Sequence, residues 1–303
     1  MLCTRNFFDI DFGYELPILE GNSDLIPAID PTYLFNIEIT QAIVASIKFN
    51  KKLLIHGLHG TGKSTHIEQI AARMKWPCFR INFDGHITRL DLIGRDVISV
   101  KEGKQVIDFQ EGIIPWAIQQ HMILILDEYD AIRPEVMFIF QRLLEKNGKF
   151  SLIEKNTVIN PHPNFRIFAT SNTIGEGDEY GIYHGTNLLN HAQLDRWDVI
   201  LKMGFLSSAE EERLLLEKCP TIEKYLITQS ISLASLTRNS FLAGDMSSFM
   251  SHRTLINLFE NYQIFQNIEK ALRYSFYNRC NSEDKEVFKE YFQRCFNLEM
   301  NEG

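Results

Sequence analysis

The stretch LLIHGLHGTGKST, residues 53–65, decides the fold. Leu53 to His56 reads as a short buried strand, and the apolar spacing from Thr65 to Met74 is that of a helix. Between them GLHGTGKS, Gly57 to Ser64, satisfies the pattern GxxxxGK[ST]. In that pattern glycines let backbone N–H groups close on phosphate oxygens at a helix N-terminus, where the local potential favours anions. Lys63 is then expected to reach the β and γ phosphates of ATP, and the Ser64 hydroxyl to ligate Mg²⁺. Gly57, His59, Gly60, Thr61, Gly62 and Thr65 complete the expected nucleotide-binding set, with His59 filling a variable position. A plain tight turn is the competing reading, and the strand before and helix after the loop weigh against it.

Working outward, a strand at Cys78 to Phe83 closes a βαβ unit with this loop. The aliphatic run Met122 to Leu126 is a further strand, ending in Asp127-Glu128. A carboxylate at a strand's C-terminal edge can hold Mg²⁺ through water, and the acid beside it can polarise an attacking water, so Asp127 is a metal residue and Glu128 a catalytic one. Alone, such a pair is common in turns; after a phosphate loop it reads as the second half of a site. Phe165 to Thr170 is another buried strand reaching Asn172, whose carboxamide can orient the same water or simply form a turn. Val199 to Met203 is the fifth strand.

Two arginines complete the candidate site. Arg196, in LNHAQLDRW, can supply a guanidinium to a neighbour's γ-phosphate or pair locally with Asp195 or Asp198. Arg253, in SHRTLINLF, opens a helix and is either a phosphate contact from a second domain or a solvated surface residue. His56, His59 and His66 cluster in sequence without the spacing of a metal site. Trp116, Phe138 and Phe140 read as core.

The chain has 303 residues, 31 Lys+Arg against 39 Asp+Glu, a formal charge of −8 and 45% hydrophobic residues, the composition of a folded protein. The acidic balance argues against nucleic-acid and anionic-membrane partners. Five widely spaced cysteines with no CxxC pair suggest neither a disulfide framework nor a zinc ribbon, which fits a reducing cytoplasm. Asp9, Asp11 and Glu15 stand where a signal peptide needs an apolar core, and no aliphatic run is long enough to span a bilayer.

The expected organisation is an irregular segment over residues 1–35, an α/β nucleotide-binding domain over 36–205 and a helical domain over 206–303. Pro17, Pro27 and Pro31 break the leader, which is expected to drape over the core. Asn36 caps a helix with Ile39, Ile43 and Ile47 on one face. Val97–Val100 and Gln105–Phe109 read as a hairpin around Glu102-Gly103-Lys104, and a second hairpin is expected over Phe150–Ile159. Pro134 opens a helix that Gly148 stops, and Ser207 with Glu210 forms a capping box where the character turns helical. The fold class is therefore α/β, a P-loop NTPase core with a parallel five-stranded sheet and β-hairpin inserts, followed by a smaller all-helical lid domain.

The series Gly57 to Ser64, Asp127-Glu128, Asn172, Arg196 and Arg253 resembles Walker A, Walker B, sensor 1, arginine finger and sensor 2 of the AAA+ ATPases. The two hairpins resemble the inserts of the MoxR and chelatase-like branch. HGLHGTGKSTHIEQIAARMKWPCFRINFDGHITRLDLIGRD, DFQEGIIPWAI, ILDEYDAIRPEVMF, NPHPNFRIFATSNT and YHGTNLLNHAQLDRWDVI are together similar to the ATPase subunits of aerobic, cobalamin-pathway cobaltochelatases, over residues 28–205. The resemblance implies a homo-oligomeric ring of six, ATP and Mg²⁺ as cofactors, and catalytic roles for Glu128, Asn172 and Arg196. It also implies that ATP hydrolysis drives Co²⁺ insertion into hydrogenobyrinic acid a,c-diamide on a separate large corrinoid-binding subunit, through a von Willebrand A-type partner. This chain has no DxSxS sequence and so cannot supply that partner's metal site. His252 departs from the family pattern, which has Pro beside the sensor-2 arginine, and residues 1–27 and much of 222–250 and 266–303 carry no matched motif. The rival readings are a MoxR-like remodelling chaperone for another metalloenzyme, a nucleic-acid motor, against which the charge weighs, and a non-hydrolysing scaffold.

Overall fold

A computed structural model describes residues 2–3, 8, 11–13, 15–16, 23–83, 86–174 and 191–300. The chain forms two compact units: Met1–Asp30, Phe35–Gly57 and Gly62–Met203 in the first, and Pro31–Leu34, Leu58–Thr61 and Gly204–Gly303 in the second. Leu58–Thr61 of the phosphate loop thus groups with the C-terminal helices, as does Pro31–Leu34 of the leader.

In the first unit a short antiparallel pair, β1 (Leu2–Cys3) with β2 (Glu15–Leu16), precedes α1 (Ile37–Phe49). The Asn36 side chain accepts the Ile39 N–H and caps α1, and Ile39, Ile43 and Ile47 are buried along it. The main sheet comprises β3 (Leu53–His56), β4 (Cys78–Asn82), β7 (Ile123–Asp127), β10 (Arg166–Ser171) and β11 (Val199–Lys202). Its order is β11-β3-β10-β7-β4, and every pairing is parallel. Alternation along the strands sends Leu53, Ile55, Ile123, Ile125 and Phe168 into one apolar layer, with α1 and α2 (Lys63–Arg73). Leu54, Leu124, Leu126, Ile167 and Ala169 go into the other, which is why these strands read as continuous aliphatic runs. The helix after the loop begins at Lys63, two residues before the sequence pattern places it, because Gly62 at φ +91° already serves as its N-cap.

After α3 (Arg89–Ile93), β5 (Gly94–Lys101) and β6 (Lys104–Glu111) form the first hairpin, longer than its hydrophobic pattern implies. Glu102 and Gly103, both at positive φ, make its two-residue turn. α4 (Ile113–Ile118) leads into β7. α5 (Pro134–Leu144) ends where Glu145 turns extended, ahead of Gly148. Gly148 is required for a different reason: a Cβ there would lie 2.0 Å from the Arg142 carbonyl oxygen. β8 (Phe150–Leu152) and β9 (Thr157–Ile159) are the second hairpin, and α6 (His191–Leu194) precedes β11.

The expectation that Trp116 and Phe138 are core residues is corrected. Phe140 is fully buried, whereas Phe138 is 63% exposed, because it lies off the α5 face formed by Val136, Met137, Phe140 and Leu143. Trp116 is 37% exposed and stands edge-on to Phe79.

The second unit has α7 (Ser208–Lys218), α8 (Lys224–Ala243), α9 (His252–Phe265), α10 (Ile268–Ser275) and α11 (Ser282–Phe296), and no strand among its described residues. The Ser207–Glu210 capping box starts α7, and Leu215, Ile227, Leu258, Phe288 and Phe292 are in its core. Inside this core Arg238 donates through both terminal nitrogens to Glu211 at 2.9 Å and through Nε to the Met250 carbonyl. Among the described residues no helix is long and apolar enough to cross a membrane.

Candidate nucleotide site

The C-terminal ends of β3, β10 and β7, neighbours in the sheet, deliver the site. The parallel register sets Ser171 beside His56 and Ala169 beside Leu126, so Asn172, the loop and Asp127 emerge at one edge. Gly57 donates its N–H to the Ser171 carbonyl at 3.2 Å. At φ +151° its missing Cβ would lie 2.1 Å from the Met203 carbonyl oxygen, so a side chain cannot be accommodated.

Lys63 is buried, and its Nζ donates to the Gly57 carbonyl at 2.7 Å and to Asn172 Oδ1 at 3.0 Å. The Ser64 hydroxyl donates to Asp127 Oδ1, as does the Thr170 hydroxyl from the neighbouring strand. Arg80, on edge strand β4, places Nε 2.8 Å from Asp127 Oδ2. Hard oxygens from Ser64 and Asp127, side by side, are the donor chemistry that suits Mg²⁺.

Glu128 follows at φ +57°, ψ +47°, a left-handed conformation that costs a non-glycine residue about 1–2 kcal/mol. Its N–H donates to Thr170 Oγ1 at 3.4 Å. Burial pushes its carboxyl pKa up, and the Asp127 and Asp130 charges add to the shift against the opposing pull of Lys63 and Arg80. Asp130 is fully buried, and its Oδ2 accepts from the Asn172 N–H at 3.1 Å and from the Thr173 N–H and hydroxyl. Asn172 is therefore held from behind while its side chain meets Lys63.

Gly57, Gly62, Lys63, Ser64, Asp127, Glu128 and Asn172 all lie in the first unit, at this edge. Arg196 belongs to the same unit but makes no hydrogen bond to them; it donates to the Ala192 carbonyl, and its buried Nε has no partner among the described residues. Its local ion pair with Asp198 is not formed, since Asp198 accepts the Lys52 N–H at 2.9 Å and faces Lys51. His59, Gly60, Thr61 and Arg253 group with the second unit. There the His59 ring lies 4.4 Å from that of Phe249, a Cβ on Gly60 would meet the Ser251 side chain, and the Thr61 hydroxyl donates to the Leu58 carbonyl. Arg253 is exposed on the first turn of α9, and Thr65 is exposed on that of α2. His66 is buried against the Thr40 hydroxyl, and burial lowers its pKa to about 4, the state of a neutral core histidine. Among the described residues no group of three or more His, Cys, Asp and Glu is placed to hold a metal.

Arg80, Thr170 and Asp130 escaped the sequence reading. A lone charge within the short strand CFRIN was the available signal for Arg80. Thr170 and Asp130 lie within the stretches FRIFATSN and ILDEYD, yet their contacts depend on which strands are neighbours.

A parallel sheet of this order, with a phosphate loop after β3, an acid pair where β7 stops and an asparagine directly after β10, defines a nucleotide-binding P-loop protein of the AAA+ class. The AAA domain family, dynein-related subfamily, matches residues 52–182. The aerobic cobaltochelatase subunit CobS of Sinorhizobium sp is 44% identical across 99% of this chain and 92% of its own length. Midasin of Dictyostelium discoideum is 30% identical across 78% of this chain, which spans 4% of midasin. Among solved structures a Thermotoga maritima RuvB mutant aligns with a TM-score of 0.50 at 14% identity, over 86% of this chain and 71% of that one, a likeness of fold alone. The chain belongs to the CobS family of aerobic cobaltochelatase subunits, which are AAA+ ATPases.

Proposed function

We propose that this chain is the ATP-hydrolysing motor of an aerobic cobaltochelatase, coupling hydrolysis to insertion of Co²⁺ into hydrogenobyrinic acid a,c-diamide in cobalamin biosynthesis. The observation that carries the reading is the hydrogen-bonded convergence of Lys63, Asn172, Ser64 and Asp127 at one sheet edge, in a chain 44% identical to CobS over nearly its whole length. Lys63 and the backbone N–H groups of Gly57–Thr65 bind the triphosphate. Ser64 and Asp127 would hold Mg²⁺, which when bound neutralises charge on the β and γ phosphates. Glu128 accepts the proton of the attacking water, and Asn172 orients that water. Arg196 acts on a neighbouring subunit's γ-phosphate, so the working form is a homo-oligomeric ring, of six by family resemblance. Residues 36–205 are the nucleotide-binding domain and 206–303 the lid, with Arg253 as its sensor arginine. A von Willebrand A-type subunit and a large corrinoid-binding subunit are the partners, in the cytoplasm; nucleic acid and membrane are not.

The test is Co²⁺ insertion measured with this chain, the two partner subunits and the corrinoid, with and without ATP. Insertion is expected only in the complete mixture with ATP. ATP hydrolysis without insertion, in the presence of partners active with another motor subunit, would overturn the chelatase role and point to remodelling of a different metalloenzyme.

A further inference from the structure

Asp127 is the acid on which the metal chemistry depends, and its surroundings contain a cation already. Its side chain is 8% exposed; one oxygen accepts from the Ser64 and Thr170 hydroxyls, and the other meets Arg80 Nε at 2.8 Å. A buried carboxylate without a compensating positive charge is strongly disfavoured. Arg80 supplies that charge from β4, whose Asn82 is the register partner of Asp127, two residues beyond Arg80. The guanidinium has a second anion within reach: its NH1 is 3.5 Å from Glu68 Oε1, on the helix that carries Lys63 and Ser64. The Arg80 side chain is 40% exposed, so it has room to move.

We infer that Arg80 is a positioning residue that stands in for Mg²⁺ at Asp127 and competes with it, Glu68 being the anchor to which the guanidinium withdraws when the metal is loaded. A divalent cation on the Ser64 side of Asp127, at Oδ1, would lie one carboxylate away from the Arg80 guanidinium at Oδ2, and like charges so close oppose one another. The Ser64 hydroxyl likewise donates to Asp127. Arg80 thereby keeps the carboxylate compensated between turnovers and sets the metal affinity of the nucleotide complex. This inference rests on the nucleotide-site reading above.

The experiment titrates Mn²⁺ into the full chain with ADP and reads bound metal by electron paramagnetic resonance, alongside calorimetric ADP binding without metal. Arg80→Gln is expected to bind Mn²⁺ about three- to tenfold more tightly than wild type in the ADP complex. Glu68→Gln, which removes the anchor for the withdrawn guanidinium, is expected to bind it more weakly, and Arg80→Lys to stay close to wild type. Metal-free ADP affinity should differ by less than about threefold across the set, since phosphate contacts are untouched. Unchanged or weaker Mn²⁺ binding in Arg80→Gln overturns the inference. If that variant does not fold, Mn²⁺ binding by Glu68→Gln equal to or tighter than wild type overturns it instead. Failure of wild type to bind ADP at all is a different result: it overturns the site reading itself.

Discussion

Lys63 Nζ lies 3.0 Å from Asn172 Oδ1, joining the loop after β3 to the end of the adjacent strand β10. The lysine proposed to meet the phosphates and the carboxamide proposed to orient water are thus hydrogen-bonded to each other. On that proposal a triphosphate at Lys63 would share or replace this bond, and Asn172 would register occupancy directly. Lys63→Ala is expected to weaken ATP binding by about 100-fold, while Asn172→Ala should lower kcat by about 100-fold and change ATP affinity by less than about threefold. Equilibrium binding and steady-state hydrolysis separate the two, and equal loss of affinity in both would refute the division of roles.

Glu128→Gln should bind ATP and not turn it over. The same variant carries a pH signature. The Glu128 pKa is raised, first by burial and then by Asp127 and Asp130, so its ionisation destabilises the folded state. The penalty is absent below the unfolded carboxyl pKa of about 4.5 and grows as pH rises through the higher folded value. Thermal melts without nucleotide should show Glu128→Gln more stable than wild type at pH 7 and equal to it near pH 4. A stability difference of the same size at both values would contradict the burial argument.

Arg196 makes no hydrogen bond to the residues at the phosphate edge of its own unit. As a trans-acting group it is worth about 10³ to 10⁵ in rate, so Arg196→Ala alone should be nearly inactive. Mixing Arg196→Ala with Lys63→Ala subunits should restore measurable hydrolysis, because some interfaces then pair an intact loop with an intact arginine. No recovery in mixed rings, with mixing verified by mass, would place Arg196 outside catalysis.

The Glu211–Arg238 pair is buried on both sides, with side chains 1% and 8% exposed. Removing one member leaves the other charge stranded. Glu211→Gln is expected to destabilise the protein by about 3 kcal/mol, measured as the loss in urea unfolding free energy. A cost below about 1 kcal/mol would show that Arg238 finds another partner or water.

Much of this protein was legible as text because the signals are local. Strands buried on both faces must be aliphatic throughout, a phosphate loop must be glycine-rich, and helix caps need Asn36 or Ser207, so element types and the candidate site residues Lys63, Ser64, Asp127, Glu128 and Asn172 could be named from local pattern. What sequence spacing could not carry was adjacency. That β10 lies between β3 and β7 is what brings Asn172 to Lys63 and Thr170 to Asp127, and that β4 flanks β7 is what brings Arg80 to the same carboxylate. Phe138 and Phe140 look alike in the sequence and differ in burial because only the packed helix chooses which face meets the core. Backbone propensity and periodicity, both written along the chain, set which groups are available. Only the tertiary structure decided which of them touch, because strand order and side-chain pairing are settled by burying non-local surface, a contest that no short window of residues contains.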